Sequence, residues 1–313
     1  MPHSRTPLTL AELVVATFLL LLGTALLAPA VLAEKSAARR TSCSRNLQQI
    51  GKGILQYADA RQGELPSTGF RDVGWGTRIL PQLGHADVYD RYHWDERFNE
   101  PENAQAVSTR LQTFVCPAGP HPDRMVVVNE EAGIKAAPSD YIALLITLNP
   151  AVQSQFAPGF NPMGVIPIAG TSLFRGSANL SDVTDGRSTT GMIFESADKP
   201  NRWQAGEIVT ANETGNSGVW AGGALNGYRG YTRDGKEFPG PCGVNCNNQT
   251  GIYGFHPGGA NIVMADGSAQ FISQDIDVYV MYALVSRAGG EVIAREDFAF
   301  ERPAEKGARV QRH

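Results

Sequence analysis

Residues 8–33 read LTLAELVVATFLLLLGTALLAPAVLA, and the interpretation of this run decides the architecture of everything after it. It is apolar for about the twenty residues a helix needs to cross a bilayer at 1.5 Å per residue. One acid, Glu12, lies in its first two turns, and the next charge is Glu34. A carboxylate near the head of a membrane span is costly unless it has a task. Three readings fit: a cleaved signal peptide with Val31-Leu32-Ala33 as its small-residue site, a plain one-pass anchor, and a stem helix that continues past the membrane.

The residues that follow separate these readings. Leu47, Ile50, Ile54, Leu55 and Ala58 recur at helical spacing, and Gly63 and then Pro66 supply a stop. This spacing predicts one near-continuous helix from about Thr9 to Arg61. A cleaved signal peptide has no reason to be followed in this way. The expected organisation is a short leader (1–7), a transmembrane helix (8–33), its amphipathic continuation (34–63), a head (64–300) and a disordered tail (301–313).

Pro7-Leu8-Thr9-Leu10-Ala11-Glu12-Leu13 resembles the processing site of type IV prepilins, in which an apolar residue follows the cut and a glutamate stands fifth. Counted from Leu8, Glu12 is fifth. The stretch RRTSCSRNLQQIGKGILQYAD (39–59) is similar to the start of the prepilin-like family of domain of unknown function 1559. The chain departs from that pattern at Pro7, where the family has glycine; proline restricts the backbone and lacks an N–H. The resemblance implies that Glu12 neutralises a neighbouring subunit's amino terminus, which a cut before Leu8 would free. The alternative leaves Glu12 in the headgroup region.

A second motif carries the same resemblance. In FHPGGANIVMADGSAQFIS (255–273), nine residues separate His256 from Asp266-Gly267, a spacing by which prepilin-associated members of the family are named. Read from the residues alone, Ile262 to Ala265 and Ala269 to Ile272 are strands around an Asp-Gly turn. Gly258 and Gly259 permit backbone geometries other residues resist. A calcium site or a hydrolytic His/Asp pair competes with a structural reading. In the structural reading, which is favoured, His256 bonds a carbonyl or carboxylate and Asp266 shapes the turn.

Four cysteines, Cys43, Cys116, Cys242 and Cys246, permit two disulfides in an oxidising compartment, one closing a small loop and one joining stem to head; free thiols are the other reading. Cys242-x3-Cys246 with His256 is a poor zinc set, so no metal and no cofactor is expected. The net charge of −4 over 313 residues gives no nucleic-acid footprint. With 34 Gly and 19 Pro, the composition suits a loop-rich exported domain.

Within the head, Asn103 to Arg110 reads as helix, Leu111 to Val115 as strand, and Met125 to Val128, Tyr141 to Leu148 and Thr190 to Glu195 as strands. Asp185, Ser188, Thr189 and Glu195 are read as a turn and a polar strand edge rather than a catalytic set. The fold class expected is α+β and pilin-like, a long N-terminal helix packed on an antiparallel sheet with long loops. The resemblance implies a non-enzymatic pilin- or pseudopilin-like protein of the inner membrane, single-pass, with its head outside. The charges Lys35, Arg39, Arg40 and Arg45 alone would place that side in the cytoplasm. Its expected partners are the lipid bilayer and like subunits. The alternative is a membrane-tethered module for a glycan or partner protein, which a groove lined by Trp203 and Trp220 would favour. An enzyme would need a deep pocket joining His256 to a carboxylate and an open metal position, and a packed, satisfied His256 would count against it.

Overall fold

A computed structural model describes residues 9–69, 73–146, 149–156, 160–168, 177–222 and 226–298, with side chains left out over 20–30. Pro7, Leu8, the leader and the tail 301–313 lie outside the described residues. Helix α1 runs unbroken over Leu10–Asp59. Short helices α2 (Trp75–Arg78), α3 (Ala86–Asp90), α4 (Ala104–Val107) and α5 (Pro150–Gln153) follow, with α6 (Val278–Val285) and α7 (Arg295–Phe298) at the end. The strands are β1 (Val126–Asn129), β2 (Ile134–Ala136), β3 (Tyr141–Ile142), β4 (Leu144–Ile146), β5 (Gly191–Glu195), β6 (Arg202–Gln204), β7 (Glu207–Thr210), β8 (Asn226–Tyr228), β9 (Gly259–Met264) and β10 (Ala269–Ser273).

The chain is therefore α+β. Its centre is an antiparallel sheet in the order β10-β9-β5-β3, and β4 pairs with β8 in parallel, which the all-antiparallel expectation did not include. Strand β9 is buried along its whole length because the sheet is covered on both faces. Side-chain alternation assigns the faces. Val263 and Ile193 join the core built on the helix residues Leu47, Ile50 and Ile54, while Ile262, Met264 and Phe194 join a second core with Met281 and Leu284 of α6. Each fully buried aliphatic side chain contributes roughly 1.5–3 kcal/mol.

Helix α1 has two unlike halves. Cys43 is its first buried residue among those described, and from there to Ala58 its apolar positions face the sheet. Before it, Leu13, Val14, Val15, Phe18 and Leu19 are 56–63% exposed. At 1.5 Å per residue the part before Cys43 extends ~50 Å. Among the described residues no helix is long and apolar enough to cross a membrane. The side chains at 20–30, the middle of the apolar run, lie outside that description.

Two local expectations are corrected. Leu111 to Val115 is not a strand; Gln112–Phe114 forms a 3-10 turn, and Asn46 of α1 donates to the carbonyls of Gln112 and Val115. The run from Tyr141 is not one strand. It divides at Ala143, so β3 pairs with β5 and β4 with β8, and residues 147–148 lie outside the described residues.

The helix approaches the β9–β10 turn at Gly51, where an added Cβ would stand 2.6 Å from Val263 Cγ2 and 3.4 Å from the Gly267 Cα. A Gly51→Val substitution gains helix propensity of a few tenths of a kcal/mol at most but overpacks a stiff β-branched neighbour, at ~1–3 kcal/mol. The expected outcome is a melting temperature lower by several degrees in thermal unfolding of the detergent-solubilised chain.

Candidate functional site

The nine-residue spacing of His256 and Asp266 does not bring the two together. They flank opposite ends of β9. Asp266 is exposed in the β9–β10 turn, where its carboxylate accepts from Ser268 N at 2.8 Å and Gly267 adopts φ +85°. At the other end, Gly258 has φ +86°, and a Cβ on Gly259 would collide with the Ile272 carbonyl.

His256 instead meets Glu195. Its Nε2 lies 3.0 Å from Glu195 Oε1 and 3.5 Å from Cys116 Sγ, and both side chains are almost wholly buried. Sheet parity explains Glu195: it shares the helix-facing side of β5 with Ile193. Its second oxygen is taken by Asn261, whose backbone N–H and side-chain amide donate at 2.8 and 3.0 Å. His256 Nδ1 is buried and has no hydrogen-bond partner among the described residues.

Beside this pair lies a disulfide between Cys43 of α1 and Cys116, 73 residues apart; a second joins Cys242 and Cys246. Cys116 is held by Asp140, whose Oδ2 accepts its backbone N–H at 2.7 Å. Tyr141 donates its O–H to the Cys43 carbonyl at 3.4 Å. Burial pushes the Tyr141 phenol well up, and the charges of Glu195 and Asp140 push it further, so it remains a donor.

Asp140 opens a second buried network. It accepts from Arg124 Nη2 at 2.6 Å and from the Asp198 backbone N–H at 2.9 Å. Asp198 in turn accepts from Trp203 Nε1 at 2.8 Å and lies 3.0 Å from His121 Nδ1. Asp198 has φ +65°, a left-handed conformation that costs a non-glycine residue of order 1 kcal/mol.

His256 and Trp203, one from each network, border a surface cleft of about 580 Å³ together with Tyr253, Phe255, Arg233 and the Cys242–Cys246 bridge. Trp203 meets Phe255 edge-on at 4.9 Å between centroids. Trp220 does not join it. It is buried against Phe114 and donates to the Thr109 carbonyl, so no groove unites the two tryptophans. Asp185 accepts from the Gly289 and Gly290 amides, and Thr189 donates to the Asp185 carbonyl.

Glu12 serves the start of α1. Its Oε2 accepts from Thr9 N and Thr9 Oγ1, both at 2.8 Å, completing a capping box. The Thr9-x-x-Glu12 spacing carried that signal. Pro7 and Leu8 lie outside the described residues. The buried groups Asp140, Asp198, Arg124 and Lys199 were not singled out from the sequence, since no local pattern marks a charge destined for burial.

Lys199 is 2% exposed and donates to Asn226 Oδ1 and the Gln249 carbonyl, with no carboxylate paired to it among the described residues. Burial lowers its pKa from 10.5 to about 7. Between these values the unfolded chain holds a proton that the folded chain lacks, so stability rises with pH across that window. Relative to a Lys199→Met variant, the wild type is expected to gain up to ~1.4 kcal/mol per pH unit from pH 7 upward and nothing below. Urea unfolding of both chains at pH 6, 7, 8 and 9 measures it.

A family model described as a protein of unknown function (DUF1559) matches residues 33–279. No curated protein and no solved structure matches the chain.

Proposed function

The chain belongs to the DUF1559 family, and from that premise we propose that it is a non-enzymatic, pilin- or pseudopilin-like envelope protein. Its stem would be anchored in the inner membrane, with the head on the extracytoplasmic side. One observation carries this reading: α1 is buried in the head only from Cys43 onward, while its described apolar residues before that point are exposed. A contiguous apolar helix face calls for lipid or for like helices. The two disulfides suit an oxidising compartment. A non-enzymatic role accords with His256, which faces Glu195 and a disulfide rather than a serine or thiol nucleophile.

The test is the intact mass and N-terminal sequence of the protein from the membrane fraction of its native cells. A chain beginning at Leu8 in a fraction that resists carbonate extraction is the expected result. A soluble chain beginning near Glu34 would overturn it. The aromatic cleft favours a second reading, a membrane-tethered module binding a glycan across Trp203 and Phe255. Under that reading Trp203→Ala removes glycan binding and leaves membrane retention intact.

A further inference from the structure

Four ligand-type atoms converge at His256. One from each of Cys43, Cys116, Glu195 and His256 lies within 4.8 Å of the others, and all four residues are buried. They arrive from α1, from the loop before β1, from the end of β5 and from the loop before β9. We propose that, once a dithiol has reduced the Cys43–Cys116 bond, these four side chains form a tetrahedral zinc site.

The edges of such a site follow from its bond lengths. Zinc–ligand distances of ~2.3 Å to sulfur and ~2.0–2.2 Å to nitrogen and oxygen place N and O about 3.3 Å apart, N and S about 3.6 Å and two sulfurs about 3.8 Å. His256 Nε2 already stands 3.0 Å from Glu195 Oε1 and 3.5 Å from Cys116 Sγ. The sulfur–sulfur edge has to open, which breaking the bond allows, and the remaining edges, all within 4.8 Å, have at most about 1.5 Å to close.

The surrounding contacts orient the ligands as outer partners of a metal site do. Asn261 occupies Glu195 Oε2 and leaves Oε1 turned toward His256. Asp140 fixes Cys116 through its backbone N–H, and Tyr141 fixes Cys43 through its carbonyl. His256 Nδ1, which has no hydrogen-bond partner among the described residues, carries the ring proton when Nε2 gives its lone pair to the metal.

The steps balance. The dithiol gives two electrons and two protons to the two sulfurs and becomes a disulfide itself. Zinc then displaces the two thiol protons as the thiolates bind. Cys242 and Cys246, the pair whose spacing with His256 made a poor zinc set, are not part of this convergence.

The experiment uses the full chain in detergent with Cys242→Ala and Cys246→Ala, which removes competing thiols. The chain is reduced with a water-soluble phosphine and titrated with Co2+ or Zn2+. The expected result is one Co2+ per chain with thiolate-to-cobalt charge transfer and tetrahedral d–d bands, and no such spectrum from the oxidised chain. Zinc should raise the melting temperature of the reduced chain, and Glu195→Gln and His256→Ala should each weaken cobalt binding about tenfold or more. A cobalt spectrum without thiolate bands, or affinity unmoved by either variant, overturns the proposal. So does a reduced chain, folded or not, whose stability zinc leaves unchanged. None of these outcomes depends on whether the protein assembles or where it resides.

Discussion

Asp140→Ala is expected to destabilise the head by about 3–5 kcal/mol, the range for removing one partner of a buried ion pair. Asp140 and its partner Arg124 have side chains 0% and 8% exposed, so water cannot replace the lost carboxylate. The substitution also orphans two backbone donors, Cys116 N and Asp198 N. Among the described residues Arg124 then keeps two backbone acceptors, the Lys199 and His121 carbonyls, and the Asp198 carboxylate at 4.0 Å. Asp140→Asn keeps an acceptor but loses the charge, and should cost less than alanine. Urea unfolding of the three chains at one pH measures the ordering. An alanine variant within about 1 kcal/mol of wild type would show that the network is dispensable.

The second large effect is expected from Cys43→Ala with Cys116→Ala under oxidising, metal-free conditions. A crosslink spanning 73 residues removes chain entropy from the unfolded state worth about 4 kcal/mol. The Cys242–Cys246 link spans 4 residues, and the same relation gives about 2 kcal/mol. Thermal unfolding should therefore place the stem-to-head double variant about 10 °C below wild type and the small-loop variant roughly half as far. Equal shifts would mean that the long link stabilises the chain no more than the short one does.

The parts of this fold legible in the sequence are those fixed by local periodicity. Leu47, Ile50 and Ile54 repeat at helical spacing, and they are the fully buried face of α1. Asp266-Gly267 between two apolar runs gave the β9–β10 hairpin, and the register confirms a tight turn. Where tertiary contacts overrode propensity, the reading failed. Leu111 to Val115 is β-prone, yet Asn46 captures its carbonyls and bends it into the turn that delivers Cys116 to the helix. Ala143 carries no mark of a strand break, and the break exists because two sheets compete for one run. The site was the least legible. Glu195 lies 61 residues from His256, and Cys116 lies 140 from it, so no window of sequence holds the set. Parity along β5 was the one available signal, since a strand ending in Ile-Phe-Glu places its acid on the same side as the isoleucine.

The place where the stem enters the head has a mechanical consequence. Cys43 is the first buried residue of α1 among those described, and it is covalently tied to Cys116. A pull along the protruding helix would otherwise peel Leu47, Ile50 and Ile54 from the sheet one turn at a time. With the tether at the entry point, tension passes into the main body at Cys116 before the first turn can lift. The interface is then loaded all at once rather than unzipped, and a reduced chain would yield at a lower force than an oxidised one.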